Sequence, residues 1–199
     1  FFAGGAIALV LGVIIGAMRV SPIPIARGVG MVYVNTIRNT PLTLIFFFFA
    51  FGAPLLVDFR VDFMTLAIWA LGIYTATYVA ETLRSGINTV PVGQAEAARA
   101  LGLPFGKVMS LVVLPQAIRK VSPALMNDFV AMQKDVGLIS IVGIVDAVRA
   151  AQIETATSFN YTPYVVAGVL FVLLALPMIR LTDWWSARMR QREQVGGIV

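Results

Sequence analysis

Histidine and cysteine are both absent from the 199 residues. Their absence removes a histidine general base, a thiolate nucleophile, a His/Cys zinc site and any disulfide. A phosphate-binding loop is missing as well: the only Gly-Lys pair, Gly106-Lys107, is followed by Val108 and lacks the spacing such a loop needs. If ATP drives this protein, another chain is expected to bind it. Charge is sparse, at 13% of residues against 59% hydrophobic, and the mean hydropathy of +0.87 lies outside the range of ordinary soluble domains. This is the composition of an integral membrane protein with no room for a large soluble domain.

The net charge of +5 does not point to nucleic acid, because the basic residues are dispersed at the ends of apolar runs instead of clustering with aromatics. They read as topology signals. Phe1 is not an initiator, so an N-terminal piece is expected to be missing from the sequence. The first apolar run has no basic flank before it, which argues against a signal peptide.

A helix needs about 20 apolar residues to cross the hydrocarbon layer. Phe1 to Met18 is a first such run, rich in Gly and Ala and able to pack closely. A second span is expected from about Gly28 to Phe51, interrupted by Asn35, Thr36, Arg38, Asn39, Thr40 and Pro41. Such a polar cluster is expensive in hydrocarbon and should face protein or a water-filled path. A connection with Asp58, Arg60 and Asp62 leads to a third span, roughly Phe63 to Ser85, whose Tyr74, Tyr78, Glu81 and Ser85 share a face. A fourth span falls between Lys107 and Val148, diluted by Pro115, Pro123, Asn127, Asp128, Gln133, Lys134 and Asp135. A connection with Asp146, Arg149 and Glu154 precedes the last span, about Pro163 to Leu181.

Positive charge alternates with these connections. It is in excess around Arg19 and Arg27, around Arg84, Arg99 and Lys107, and in the tail with Arg188, Arg190 and Arg192. The positive-inside tendency makes those segments cytoplasmic, the N-terminus external and the number of spans five, with Trp184 and Trp185 as inner-interface anchors. Residues 1–185 then form one transmembrane domain, and 186–199 a basic cytoplasmic tail.

The stretch from Gly93 to Pro115 is too polar to cross a bilayer and lies between runs that can. Gln94 to Leu101 are good helix formers, Gly102 can take the left-handed conformation that ends a helix, and Pro104 suits the first turn of the next. Ala95, Ala98 and Leu101 fall along one side of the short helix, and Glu96 and Arg99 are spaced to pair on another. Small residues there let another protein approach closely.

Glu96-Ala97-Ala98, then Gly102, then Leu114-Pro115 resembles the signature of membrane subunits of ATP-binding-cassette importers. Arg38-Asn39-Thr40-Pro41-Leu42, Tyr78 to Ile87 and Leu114-Pro115-Gln116-Ala117 are similar to motifs of the polar amino acid branch of that family. The Asn-Thr-Pro-Leu and Ser-Gly-Ile-Asn-Thr-Val forms most resemble actinobacterial glutamate-type importers. One departure stands out: where the branch usually has Thr-Ser-Leu after Lys134-Asp135, this chain has Val136-Gly137-Leu138.

The resemblance implies an all-α polytopic permease of the type I importer kind in a bacterial plasma membrane, with a cytoplasmic coupling helix at about residues 90–108 between spans three and four. Its implied partners are a second permease subunit, two ATPase subunits that bind the ATP and Mg, and an extracytoplasmic amino acid binding protein, all in membrane lipid. Glu96, Ala97, Ala98, Arg99 and Gly102 take the ATPase-coupling role by the same resemblance.

Arg38, Asn39, Thr40, Tyr78, Glu81 and Lys134 are candidates for the substrate pathway. Arg38, Asn39 and Thr40 can bind a substrate carboxylate or hold helices together through interhelical hydrogen bonds. Glu81 and Arg84, one turn apart, can simply neutralise each other. Lys134 can attract an acidic amino acid or lie in water at the outer interface, and neither it nor Asp135 can pair with its immediate neighbour. Two other classes compete: a self-sufficient secondary transporter, which usually needs more spans or an internal repeat, and a membrane enzyme, for which no nucleophile with an activating partner is present.

Overall fold

A computed structural model describes the backbone of residues 1–56 and 61–196, with side chains up to residue 189. The readings on Asp58 and Arg60, and on the side chains of Arg190 and Arg192, lie outside the described residues. Helices account for the described secondary structure: α1 (Phe2–Val20), α2 (Pro24–Arg38), α3 (Leu42–Phe47), α4 (Ala53–Leu56), α5 (Phe63–Asn88), α6 (Val92–Ala100), α7 (Phe105–Val108), α8 (Leu114–Asp135), α9 (Ala147–Ser158) and α10 (Thr162–Gly196). Single π-helical turns join α3 to α4 and α7 to α8, and a 3-10 segment, Val136–Val142, continues α8.

The centre of the bundle is α5. Ala70, Thr77, Val79 and Ala80 on it are essentially without exposure, so small residues predominate where helices meet. Helix α1 runs alongside it in the same direction, Gly4 near Leu71, Gly12 at Val79 and Gly16 at Ala80. The approach is close enough to exclude a side chain: a Cβ on Gly12 would lie 2.5 Å from Val79 Cβ, and one on Gly72 2.6 Å from Ile7 Cγ2. Lipid gives no hydrophobic drive to such a contact, so close packing supplies the attraction. On its other side α5 meets α8 head to tail, with Gly86 against Val121. Asp62 caps α5 by accepting from the Thr65 amide at 2.9 Å, and the Thr65 hydroxyl at 2.7 Å helps hold that exposed carboxyl below its ordinary range.

Three helices (Phe2–Val20, Phe63–Asn88 and Thr162–Met189) are each long and apolar enough to cross a membrane, and the number reaches five if each of two bent pairs forms one span. The expected continuous second span is one of these pairs: Pro24–Arg38 and Leu42–Leu56 meet at 100°. Pro41 explains the break, because it lacks an amide hydrogen and its ring disfavours a helical residue before it. The second pair, Phe105–Val142 and Ala147–Ser158, bends by 47° after Gly143, whose φ is +87°. The expected connection with Asp146, Arg149 and Glu154 is itself largely helical: Asp146 caps α9 and the other two lie within it. Gly137, in the departure from the family motif, has a structural reason: a Cβ there would come within 2.9 Å of Phe171 Cζ.

Candidate coupling and translocation sites

The short polar helix α6 is set by its ends. Pro91 precedes it, and at its far end the Leu103 amide donates to Ala98 O at 3.2 Å while the Gly102 amide donates to Arg99 O at 2.9 Å. These two bonds form a Schellman cap, which requires the left-handed backbone that Gly102 adopts at φ +82°. Ala98 then packs with Val90, Val108, Val113 and Ala117, joined by the half-buried Ala95 and Leu103.

Leu101, expected on the same side as Ala95 and Ala98, is instead 84% exposed, because the cap turns the chain and Leu103 takes the inner place. Glu96 and Arg99, expected to pair, form no ion pair among the described residues; both stand exposed with Ala97. A Cβ on Gly102 would meet nothing within 4 Å. The face carrying Glu96, Ala97, Arg99 and Gly102 is thus open, while Ala98 anchors the helix from beneath. Polar links tie the helix and its entry to α8: Gln116 Nε2 donates to Gln94 Oε1 at 2.6 Å, and Lys120 Nζ to Thr89 O at 3.2 Å.

The pathway candidates separate into three places. Tyr74 and Tyr78, with hydroxyls 2.9 Å apart, line a cavity of about 220 Å3 with Thr75, Asp128 and Asp135. The guanidinium of Arg38 lies 5.1 Å from the centroid of the Tyr78 ring, within cation–π range. Asn39 and Thr40, next to it, bond back to their own helix, Asn39 Nδ2 to Asn35 O at 2.7 Å and Thr40 Oγ1 to Thr36 O at 2.8 Å. They finish α2 at the break.

Glu81 lies elsewhere. One carboxylate oxygen accepts from Arg19 Nη1 at 2.5 Å and the other from Arg84 Nε at 3.1 Å, with Arg84 Nη2 also bonded to it. Lys134 is exposed and borders a different hollow with Gly137, Tyr164 and Phe171. The sequence did not single out Arg19 or Asp128 for these contacts. Arg19 was legible only as a topology signal, since its partner is 62 residues away. Asp128 and Asp135 are seven apart, two helical turns, which put them on one face; Asp128 also accepts from the Thr82 hydroxyl at 2.8 Å. Thr75 Oγ1 is buried and has no partner among the described residues, on a residue that lines this cavity.

Residues 8–191 match the family described as binding-protein-dependent transport system inner membrane component. The chain belongs to that family. This permease subunit is 40% identical over 187 residues to the glutamate transport system permease protein GluC of Corynebacterium glutamicum, covering 86% of this chain and 81% of that one. It is 36% identical over 171 residues to the arginine transport system permease protein ArtQ of Bacillus subtilis, covering 85% and 78%. A crystal structure of an amino acid ABC transporter with histidines matches at a TM-score of 0.86 with 32% identity, over 94% of this chain and 87% of that one. The methionine transporter MetNI shares the fold, at a TM-score of 0.76 and 20% identity. These relatives agree with the amino acid branch that the sequence resembles, and the all-α fold is that of type I importer permeases. Permease subunits of this family are not themselves catalytic. Gly106 and Lys107 fall in the one-turn helix α7.

Proposed function

We infer that this subunit passes a polar amino acid, glutamate or a related one, across the plasma membrane by alternating access. It works with a second permease subunit, two ATPase subunits that bind ATP and Mg, and an extracytoplasmic binding protein. Residues 1–185 act as one permease domain, with the N-terminus outside, and 186–199 as a basic tail inside. The observation that carries this reading is α6: a short, capped helix with an open small-residue face, linked by Gln94 to the helix that lines the cavity. Glu96, Ala97, Arg99 and Gly102 face the ATPase, and Ala98 holds the helix to the membrane domain.

The cavity suits a zwitterion. The tyrosine hydroxyls in it, with Arg38 beside it over the Tyr78 ring, match a carboxylate, and Asp128 or Asp135 an ammonium group. Similarity to a glutamate permease supports the choice of glutamate. Glu81 acts as a structural bridge, and Lys134 meets incoming acidic substrate at the outer rim.

The test is uptake of labelled glutamate, glutamine and arginine into vesicles holding the co-expressed complex. Wild type should take up one of them only with ATP, and Ala97→Trp should abolish this while the complex remains inserted. Uptake that ignores ATP and Ala97 alike would favour a self-sufficient transporter.

A further inference from the structure

Two hollows meet on the flank of the bundle where α8 and α10 run side by side. The first is a groove of about 370 Å3 walled by Phe2, Ala6 and Leu9 of α1, Phe129 of α8, and Met178 and Leu181 of α10. No charged residue lines it. The second, of about 530 Å3, is polar and holds Arg119, Lys120 and Asn127 of α8 with Asp183 and Ser186 of α10. Thr182 belongs to the wall of both, so the two adjoin and together make one amphipathic cleft along α10. Its hydroxyl donates to Met178 O at 2.9 Å and is spent on its own helix, so the crossing point from polar to apolar carries no free polar group.

The cleft has the order of an amphiphile. Exposed Trp184 and Trp185 stand beside Asp183 on α10, and such rings collect where membrane meets water. The polar hollow is therefore at headgroup depth, and the groove leads from it into hydrocarbon. Arg119 presents a guanidinium fork that matches a phosphate diester. Lys120, which also lines the hollow, donates one hydrogen bond from its ammonium to Thr89 O at 3.2 Å and keeps two donors for a ligand. Across the hollow, Asp183 and Ser186 offer an acceptor and a hydroxyl. Asp183 would repel a bare phosphate monoester but accepts from a hydroxyl-bearing headgroup. A body of pure hydrocarbon joined to an anionic, hydroxylated end is the chemistry of a phospholipid, and basic hollows between helices on the inner side of membranes hold such headgroups.

We propose that this cleft binds an anionic phospholipid of the phosphatidylglycerol type, with phosphate at Arg119 and Lys120, hydroxyls at Asp183 and Ser186, and an acyl chain between α1, α8 and α10. The lipid bridges α1 and α10, which pack mainly on different neighbours, α1 on α5 and α2, α10 on α8 and α9, with α8 reaching α1 through Phe129 and Met132 near Gly4 and Gly5.

The test is native mass spectrometry of the purified complex titrated with phosphatidylglycerol, with phosphatidylcholine of the same chains, and with glycerol 3-phosphate. Each basic residue near an anionic surface raises binding by roughly fivefold, so phosphatidylglycerol should be retained about tenfold or more over phosphatidylcholine. Arg119→Gln with Lys120→Gln should remove that preference, and Ala6→Phe, which fills the groove, should lower retention of both lipids. The melting temperature gives a second readout: wild type rises in phosphatidylglycerol micelles, and the double variant does not. Equal binding of the two lipids by wild type, or a preference that survives the double substitution, overturns the proposal. So does binding of glycerol 3-phosphate as strong as that of the lipid, which would make this a phosphate-ester site. Because the chain has no cysteine, Leu181→Cys introduces a single thiol; efficient disulfide formation between two copies would show that a second subunit covers the groove, and would also overturn it.

Discussion

Replacing Gly102 separates what the turn after α6 requires from what a partner requires. Within this chain a Cβ at Gly102 meets nothing within 4 Å, so the only internal cost of a side chain is backbone conformation. At φ +82° that cost is about 1–2 kcal/mol for an ordinary L residue, larger for a β-branched one and smaller for Asn. The cap closes two hydrogen bonds and seats Leu103 against Ala98, so the strain falls on the geometry of the loop and not on the spans. Gly102→Asn should therefore insert and melt like wild type, and Gly102→Val should lose about 2 kcal/mol locally, roughly a 30-fold drop in the population of the capped turn.

The assay is ATP-driven uptake in vesicles, run beside copurification of the ATPase subunit. If a partner packs against this face, Gly102→Asn loses uptake and ATPase binding together although its own fold is intact. If only the turn matters, Gly102→Asn keeps uptake within about threefold of wild type while Gly102→Val loses it, following the conformational cost above. Wild-type uptake by both variants would refute the reasoning, since neither the left-handed turn nor the open face would then carry force.

Further substitutions probe the bundle and the cavity. Glu81→Gln leaves Arg19, whose side chain is 12% exposed, without its counter-charge, and should lower stability by about 1–3 kcal/mol in a detergent melting assay; Arg84→Gln, at 34% exposure, should cost under about 1 kcal/mol. Gly86→Ala places a Cβ 2.0 Å from Val121 Cγ1 and 3.2 Å from Ala117 O, so it should cost about 1–3 kcal/mol, partly recovered by Val121→Ala, as read by a double-mutant melting cycle. Arg38→Lys gives up the planar stack on Tyr78 and should lower stability by about 0.5–1 kcal/mol in the same melting assay; if Arg38 also holds the substrate carboxylate, the KM for uptake rises by about two- to fivefold.

What the sequence reveals here follows from range. The Gly102 cap and the start of the next helix at Pro104 are local rules of backbone conformation and sit where residue type puts them. Local chemistry also marked the interruption at Arg38 to Pro41, but a bend angle of 100° depends on what both halves pack against, so a continuous span was expected there. The face shared by Tyr74, Tyr78 and Glu81 was legible from helical spacing, yet its division was not: the tyrosines meet α8 while Glu81 meets Arg19 of α1. Helical spacing gives direction around an axis and cannot tell which neighbour fills it.

That division has a mechanical consequence. The two helices that line the cavity, α5 and α8, are also the two that flank α6: α5 leads into it through Thr89, and α8 returns past it with Gln116 bonded to Gln94. Between those ends α5 and α8 are locked at Gly86, where Val121 leaves no room for a methyl group. A force on the open face of α6 would therefore reach both helices at the ends that flank it, while α1 is tied to α5 by the Arg19–Glu81 bond. Rotating α5 and α8 as one unit keeps the Thr82–Asp128 bond intact and moves Tyr78 and Asp128 together relative to Arg38, which stands on α2 beyond the pair. Such a motion shifts the stack of Arg38 on Tyr78 and also strains the bond from the Tyr33 hydroxyl to Ile73 O at 2.8 Å, which ties α2 to α5. A cation–π contact, modest in energy and tolerant of sliding, costs less to break and remake than a buried ion pair.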